Sequence, residues 1–280
     1  TSAEKTKSLG FAIYYWLVNA GAMIGPTIAY FVRDSFGNEF VYLISSFSCF
    51  AMLAVNLILY KEVKSGKTEI AESLGKKITN LFVVLGNFKF MIFLLIYSLY
   101  WIIFWQEFII VPYYITDYIG KEAPYEIVQS WAGAGAIILL QIPINRLTKN
   151  IPTRKAILIG FAVSSLIWII IGIHPSIPTI AAGIVAFAIG EMIQAPRYYE
   201  YISEIAPAGQ QGLFQGYAFL PIAIARFVGD PIGGWLYQSA KAAGDPSRVW
   251  WSLIGIGVFG TICMAIYNKY VAIYESKQKT

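Results

Sequence analysis

The stretch IPTIAAGIVAFAIG, residues 177–190, holds no charged side chain, and apolar runs of this kind occur eight times along the chain. A run of about 20 apolar residues is long enough to cross the roughly 30 Å hydrocarbon core of a bilayer as a helix. Inside lipid every backbone N–H and C=O must be satisfied within the segment, so eight such runs commit the chain to helices packed side by side. The expected spans are residues 9–32, 40–60, 88–115, 125–145, 155–173, 178–201, 211–237 and 249–271. Composition agrees: 57% of the residues are hydrophobic, 13% are charged and the mean hydropathy is +0.59. A soluble domain is nearer 45–50% apolar and about 25% charged. The fold class is all-α transmembrane and multi-pass.

Most joints between spans carry turn chemistry: RDSFGN, TDYIGKEAP, HPSIP, APAGQQG and AAGDPS. An even number of spans puts both termini on one side. Of the 21 Lys and Arg residues, 15 fall on that side, four (Arg33, Lys121, Lys241, Arg248) on the other, and two (Arg197, Arg226) within spans. The positive-inside rule then makes the termini cytoplasmic, in a cell-membrane protein. The net charge of +5 reflects this topology, and no nucleic-acid partner is expected. Cys49 and Cys263 lie in apolar runs and are expected to be buried structural thiols, with no disulfide framework or zinc spacing.

The one strong composition shift is the loop 61–87. Leu74, Ile78, Leu81, Phe82 and Leu85 recur there at helical spacing with Lys76 and Lys77 on the polar side, which suits a helix lying in the cytoplasmic interface. The loop divides the chain into residues 1–60 with two spans, a linker 61–87, and residues 88–280 with six spans. Two plus six is what remains of six plus six once four helices are lost, and the chain starts at Thr1 rather than Met. The missing four N-terminal helices are therefore an expected partner, and 1–60 reads as the last two helices of an N-terminal bundle.

Ionisable groups at membrane depth are costly and mark candidate functional sites. Counting about 1.5 Å per residue inward from Pro178 puts Glu191 roughly 20 Å down. Arg197 falls near the far edge of the core, with Glu200 and Glu204 in the interface beyond it. Glu191 is either a functional anion or a structural hydrogen-bond partner of a neighbouring helix. Arg197, Glu200 and Glu204 form an interfacial salt-bridge set or a cytoplasmic gate. Arg226 and Asp230, four apart in the seventh span, are a self-satisfied pair or an outer gate or proton site, and Glu107 lies at a similar outer depth. Asn19 sits in the middle of the first span, followed by Gly21 and Gly25-Pro26; Gly212/Gly216 and Gly229/Gly233 repeat the small-xxx-small pattern of close helix approach. The lone histidine, His174, falls in a loop, and there is no phosphate loop, serine elbow or paired Cys/His set. No enzyme activity, metal site or cofactor is expected.

These motifs resemble a known family. YYWLVNAG (Tyr14–Gly21) is similar to the helix-five signature F-Y-x-x-I-N-x-G of the proton-dependent oligopeptide transporter family, within the major facilitator superfamily. YWIIFWQ (Tyr100–Gln106) looks like its helix-seven pattern F-W-x-x-F-D-Q. Gly190-Glu191, Ala206-Pro207 and QGYAFL (215–220) follow its helix-ten to helix-eleven layout. The resemblance covers essentially the whole chain and implies a major facilitator bundle represented by helices five to twelve.

The resemblance implies proton-coupled symport of short peptides or peptide-like solutes by alternating access, with the proton as coupling ion. Glu191 then receives the substrate amine, Asn19 hydrogen-bonds the substrate, and Trp101 lines the pocket with Gln106 beside it. Glu107, Arg226, Asp230, Arg197 and Glu200 become gate or proton-linked residues. Two departures weigh toward other solutes: Trp105 stands in place of the family's Asp, and Ala132-Gly133 in place of Asn-Pro after VQSW. The family's helix-one E-x-x-E-R motif and helix-four lysine, which it uses for coupling, fall outside this sequence. The alternatives are a transporter of a sugar, organic anion or drug on the same fold, and a non-transporting scaffold or sensor.

Overall fold

The computed structural model describes the backbone of residues 4–60, 74–120 and 123–278. All the regular structure in it is helical: α1 (Glu4–Phe36), α2 (Asn38–Leu59), α3 (Leu74–Leu85), α4 (Phe88–Ile119), α5 (Tyr125–Thr148), α6 (Thr153–Ile173), α7 (Ile177–Ile205), α8 (Gln211–Ala242) and α9 (Arg248–Gln278). Among the described residues seven of these, α2 and α4 to α9, are long and apolar enough to cross a membrane. The first expected span lies inside α1, which is not among the seven. Its apolar run is broken by Asn19, Gly21, Gly25, Pro26 and Thr27 and closes on Arg33 and Asp34.

The expected turn residues end the helices. Gly37, at the joint of α1 and α2, takes φ 96°, a left-handed conformation that a side chain would strain. The HPSIP joint starts α7 with a capping box, Ser176 and Thr179 each bonding the other's backbone N–H, and Pro178 in the first turn where its missing N–H costs nothing. Ahead of α9, Asp245 accepts hydrogen bonds from Ser247 Oγ at 2.5 Å and Arg248 Nε at 3.2 Å. The Ser247 bond above all holds its carboxyl below the usual range.

α6 and α7 make the most extensive pairing in the molecule, and α9 packs on α6 and α4. Small residues permit this. A Cβ at Gly190 would fall 2.5 Å from the Gly160 carbonyl oxygen, and one at Gly160 would fall 2.6 Å from Gln194 Cβ. The core is aromatic: Trp168 and Trp250 stack with ring centres 5.9 Å apart, and Tyr97 and Tyr198 at 4.0 Å. α8 lies on α4, where Ile102 and Gln106 fill the space that side chains at Gly229 and Gly233 would need. That pair of glycines performs the close approach expected of it. Gly21, Gly25, Gly212 and Gly216 do not: a Cβ on any of them meets nothing within 4 Å.

Three stretches widen into π-helical turns, Ile115–Ile119, Trp131–Gly135 and Ala225–Gly229. The first follows Pro112 and the third follows Pro221, each of which removes a backbone donor from the ladder.

α1 packs on α2 and α5, and α2 buries none of its residues. Cys49, expected to be buried, is exposed for this reason, while Cys263 is half-buried. The stretch read as an interfacial helix forms the helix α3. Phe82 is exposed and Val84 is fully buried on it; the side chains of Leu74, Lys76, Lys77, Ile78 and Leu81, like that of Tyr14 and the loop 61–73, lie outside the described residues.

Candidate functional site

A cavity of about 300 Å³ opens where α1, α4, α5 and α7 meet. Each helix contributes one face at its own periodicity. α7 presents Glu191 with Ala188, Phe187 and Ile184, at three, four and seven residues before it. α4 contributes Glu107 with Phe104 and Phe108, and α1 contributes Asn19 with Ala22 and Pro26. α5 adds Gln129 and, from its π-helical turn, Gly133 and Ala134. A Cβ at Gly133 would meet Ile184 of α7 at 3.6 Å and the Gln129 amide of its own helix at 3.7 Å.

The tight α6–α7 crossing orients Glu191. Gly190 is pressed against Gly160 and Ser164, so the next residue, about 100° further round the helix, turns into the cavity. Ser164 Oγ adds a hydrogen bond to the Phe187 carbonyl oxygen at 3.3 Å. Phe187 and Phe104 bring the α7 and α4 walls together with ring centres 5.4 Å apart.

Glu107 is only 3% exposed. It lines the same cavity as Glu191 and Gln129. Among the described residues no Lys, Arg or His lines the cavity. The site thus joins two carboxylates and two amides, Asn19 and Gln129, to an apolar wall with three phenylalanines.

Of the residues singled out from the sequence, Glu191, Asn19 and Glu107 come together here. Glu107 shares the cavity with Glu191, whereas depth along the helix had grouped it with an outer gate. Trp101 does not line the cavity; it packs edge-on against Phe104, which does, with ring centres 5.0 Å apart. Gln106 faces the other way. It is fully buried against α8 and donates from Nε2 to the Gly229 carbonyl oxygen at 3.1 Å, within the π-helical turn.

Arg226 and Asp230 pair at 3.1 Å, and the Arg226 guanidinium sits 4.5 Å over the ring of Trp105. Arg197 pairs with Glu200 at 2.7 Å and donates to the Lys149 carbonyl oxygen at 3.1 Å, while Glu204 accepts from Thr153 Oγ1. Neither set lines the cavity. Gln129, Phe104, Phe108 and Phe187 were not singled out from the sequence. Helical spacing from Glu191 and Glu107 points to the three aromatics, and Gln129 stands inside the VQSWAG stretch.

α1 is stitched to α5 beside the cavity. Arg33 pairs with Glu126, and Trp131 Nε1 donates to Thr27 Oγ1 at 3.2 Å, with Ser130 Oγ 3.5 Å from the same oxygen.

The sequence profile described as Major Facilitator Superfamily matches residues 108–279. The multidrug resistance protein MdtH of Klebsiella pneumoniae subsp. pneumoniae is 27% identical over 254 residues, 89% of this chain and 60% of that protein. MdtH of Salmonella schwarzengrund is 27% identical over 180 residues, 64% of this chain and 44% of that protein. The chain thus spans at most about 60% of the length of these curated relatives. Among solved structures, a POT family transporter in complex with a thioalcohol-conjugated peptide superposes with a TM-score of 0.71 at 16% identity, covering 99% of this chain and 71% of that one. A mutant of the peptide transporter POT in complex with alafosfalin gives 0.73 at 16% identity, covering 96% and 69%. A mutant of the nucleoside transporter NupG gives 0.69 at 12% identity, covering 89% and 65%. Likeness at these identities speaks for the fold.

Proposed function

Because the chain belongs to the major facilitator superfamily, we propose that it forms the larger part of a secondary transporter that carries amine-bearing small solutes across the cell membrane by alternating access. Short peptides and peptide-like solutes are the first class of cargo, and the proton is the coupling ion. The observation that carries this reading is the cavity, in which Glu191 and Glu107 stand among amides and phenylalanines with no basic side chain among the described lining residues. A carboxylate held out of water at that depth is costly unless a cation meets it, and an amino group of the cargo supplies one. Asn19 and Gln129 offer donors and acceptors to the polar part of the cargo, and Phe104 and Phe187 an apolar wall for the rest.

In this reading the partner of the chain is a set of four further N-terminal helices that completes the first bundle, and both termini of the chain face the cytoplasm. The two bundles rock about the midplane site. Trp101 acts on the site through Phe104, and Gln106 through the packing of α4 on α8. The ion pairs Arg226–Asp230 and Arg197–Glu200 are gate candidates at a distance from the cavity.

A second reading keeps the fold and the amine and changes the cargo to a non-peptide drug cation. Two observations favour it: the relatives named as multidrug resistance proteins, and the presence of Trp105, Ala132 and Gly133 where the peptide-transporter pattern has Asp, Asn and Pro.

Uptake by the full-length protein in proteoliposomes, driven by an imposed proton gradient, tests both. Labelled dialanine is expected to accumulate, and Glu191→Gln is expected to cut that uptake at least about tenfold, as loss of one partner of a buried charge pair does. Uptake unchanged by Glu191→Gln removes Glu191 from the site. A protein that ignores dialanine but moves a drug cation such as ethidium in a Glu191-dependent way establishes the second reading.

A further inference from the structure

Five carboxylates elsewhere in the described structure are matched with cations, and Asp34, Glu39 and Glu204, for which no such pair is seen, lie exposed to the surroundings. Glu126 pairs with Arg33, Asp117 with Lys241, Glu200 with Arg197, Asp230 with Arg226 and Asp245 with Arg248. Glu107 and Glu191 differ. Among the described residues neither has an ion-pair partner, and the cavity they share is lined by no Lys, Arg or His. Glu107 is the more telling of the two: it is 3% exposed, and the neutral amide of Gln129 shares the cavity with it. One amino group answers one of these carboxylates, and the other then either takes up a proton or meets a second cation.

Resting on the reading of this cavity as the site of an amine-bearing solute, we propose that its preferred solutes carry two separated amino groups, one bound at Glu191 of α7 and the second at Glu107 of α4. The two carboxylates come from different helices, so the solute bridges α4 and α7. Its apolar linker lies along Phe104 and Phe187, whose rings meet across those same helices, and Gln129 supplies a polar neighbour to the second amine. A cavity of about 300 Å³ has room for a short aliphatic diamine or for a dipeptide bearing a basic side chain. Selectivity follows from charge count: a zwitterion or a monoamine leaves the second subsite empty, and an anion is repelled by both.

Isothermal titration of the purified full-length protein with butylamine, 1,4-diaminobutane and 1,7-diaminoheptane tests this directly. At least one diamine is expected to bind about tenfold or more tightly than butylamine, the gain from one further charge-assisted hydrogen bond. In Glu107→Gln the ratio of diamine to monoamine affinity is expected to fall to about one, and in Glu191→Gln every amine is expected to weaken. Equal affinities of butylamine and both diamines for the unaltered protein overturn the second subsite while leaving the amine reading standing, and that comparison needs no variant to fold. A diamine preference that persists in Glu107→Gln overturns the assignment to Glu107. Failure of every amine to bind overturns the amine reading itself, together with this inference.

Discussion

The crossing of α6 with α7 and the pairing of α1 with α2 are made from similar material, yet they behave differently. Both pairs carry long apolar stretches punctuated by small residues. At the first, Gly160 and Gly190 sit at backbone contact, and Trp168 and Ile167 are fully buried. At the second, Gly21 and Gly25 meet nothing within 4 Å, α2 buries no residue, and Phe47 and Leu57 are about three-quarters exposed. Lipid solvates an apolar side chain as well as a protein core does, so apolarity commits a helix to the membrane without saying whether it is buried in the bundle. What separates the two regions is a facing partner. Where one is present, glycine becomes contact, and the contact fixes which way the next side chain points. At Gly190 that side chain is Glu191.

The largest effect is expected where contact is closest. Gly190→Ala places a Cβ against the backbone of Gly160 and Ser164, atoms that cannot rotate away. Overpacking of this kind costs about 1–3 kcal/mol, and here it also rotates or lifts α7 at the residue before Glu191. A clear fall in detergent melting temperature is expected, together with loss of amine binding. A Gly190→Ala protein of unchanged melting temperature shows that α7 can yield at this crossing and that the site does not depend on it.

A smaller loss is expected at Gly233. Its missing Cβ leaves room for the Gln106 amide, which is a side-chain terminus and can move. In moving, the amide gives up its hydrogen bond to the Gly229 carbonyl oxygen. The cost expected for Gly233→Ala is about 1 kcal/mol, the worth of one buried hydrogen bond. Because Gln106 faces α8 and not the cavity, amine affinity should be retained in this variant when measured on protein that has remained folded. An affinity loss at unchanged stability would place Gln106 in the site after all.

The contrast between the two helix pairs also marks how far the sequence could be read. Seven of the expected spans meet the length and apolarity that a membrane helix needs, because about 20 apolar residues between turn residues have few other fates. Glu191 and Asn19 were legible as expensive polar groups at mid-depth. Glu107 was legible as expensive but not as a neighbour of Glu191: counting along a helix yields depth, and the facing helix is a second coordinate that depth does not contain. The same gap explains Gln106 and Trp101. They share one short stretch with the cavity residue Phe104, yet they point to α8 and to other aromatics. The π-helical turns add to the difficulty, since Trp131–Gly135 and Ala225–Gly229 each shift the face that regular spacing assigns to the residues beyond them. Cys49 was misjudged for the reason that separates the two pairs of helices: its run is apolar, and no partner covers it.

The smallest effect, and the one with a sign to decide, is expected at Gly21. In the 280-residue chain a methyl group at this position enters open space. Within a helix, alanine in place of glycine gains about 0.5–1 kcal/mol from the backbone freedom that glycine loses on folding. Gly21→Ala should therefore leave this chain as stable as before or slightly more so, opposite in sign to Gly190→Ala. If four further helices complete the first bundle, Gly21 acquires neighbours in the full-length protein. There the same substitution should turn neutral or destabilising. The difference between the two melting shifts, chain against full-length protein, isolates what those helices contribute at α1. An identical stabilisation in both would mean that the face of α1 around Gly21 stays turned to lipid, and that the exposed half of this comparison is exposed by design.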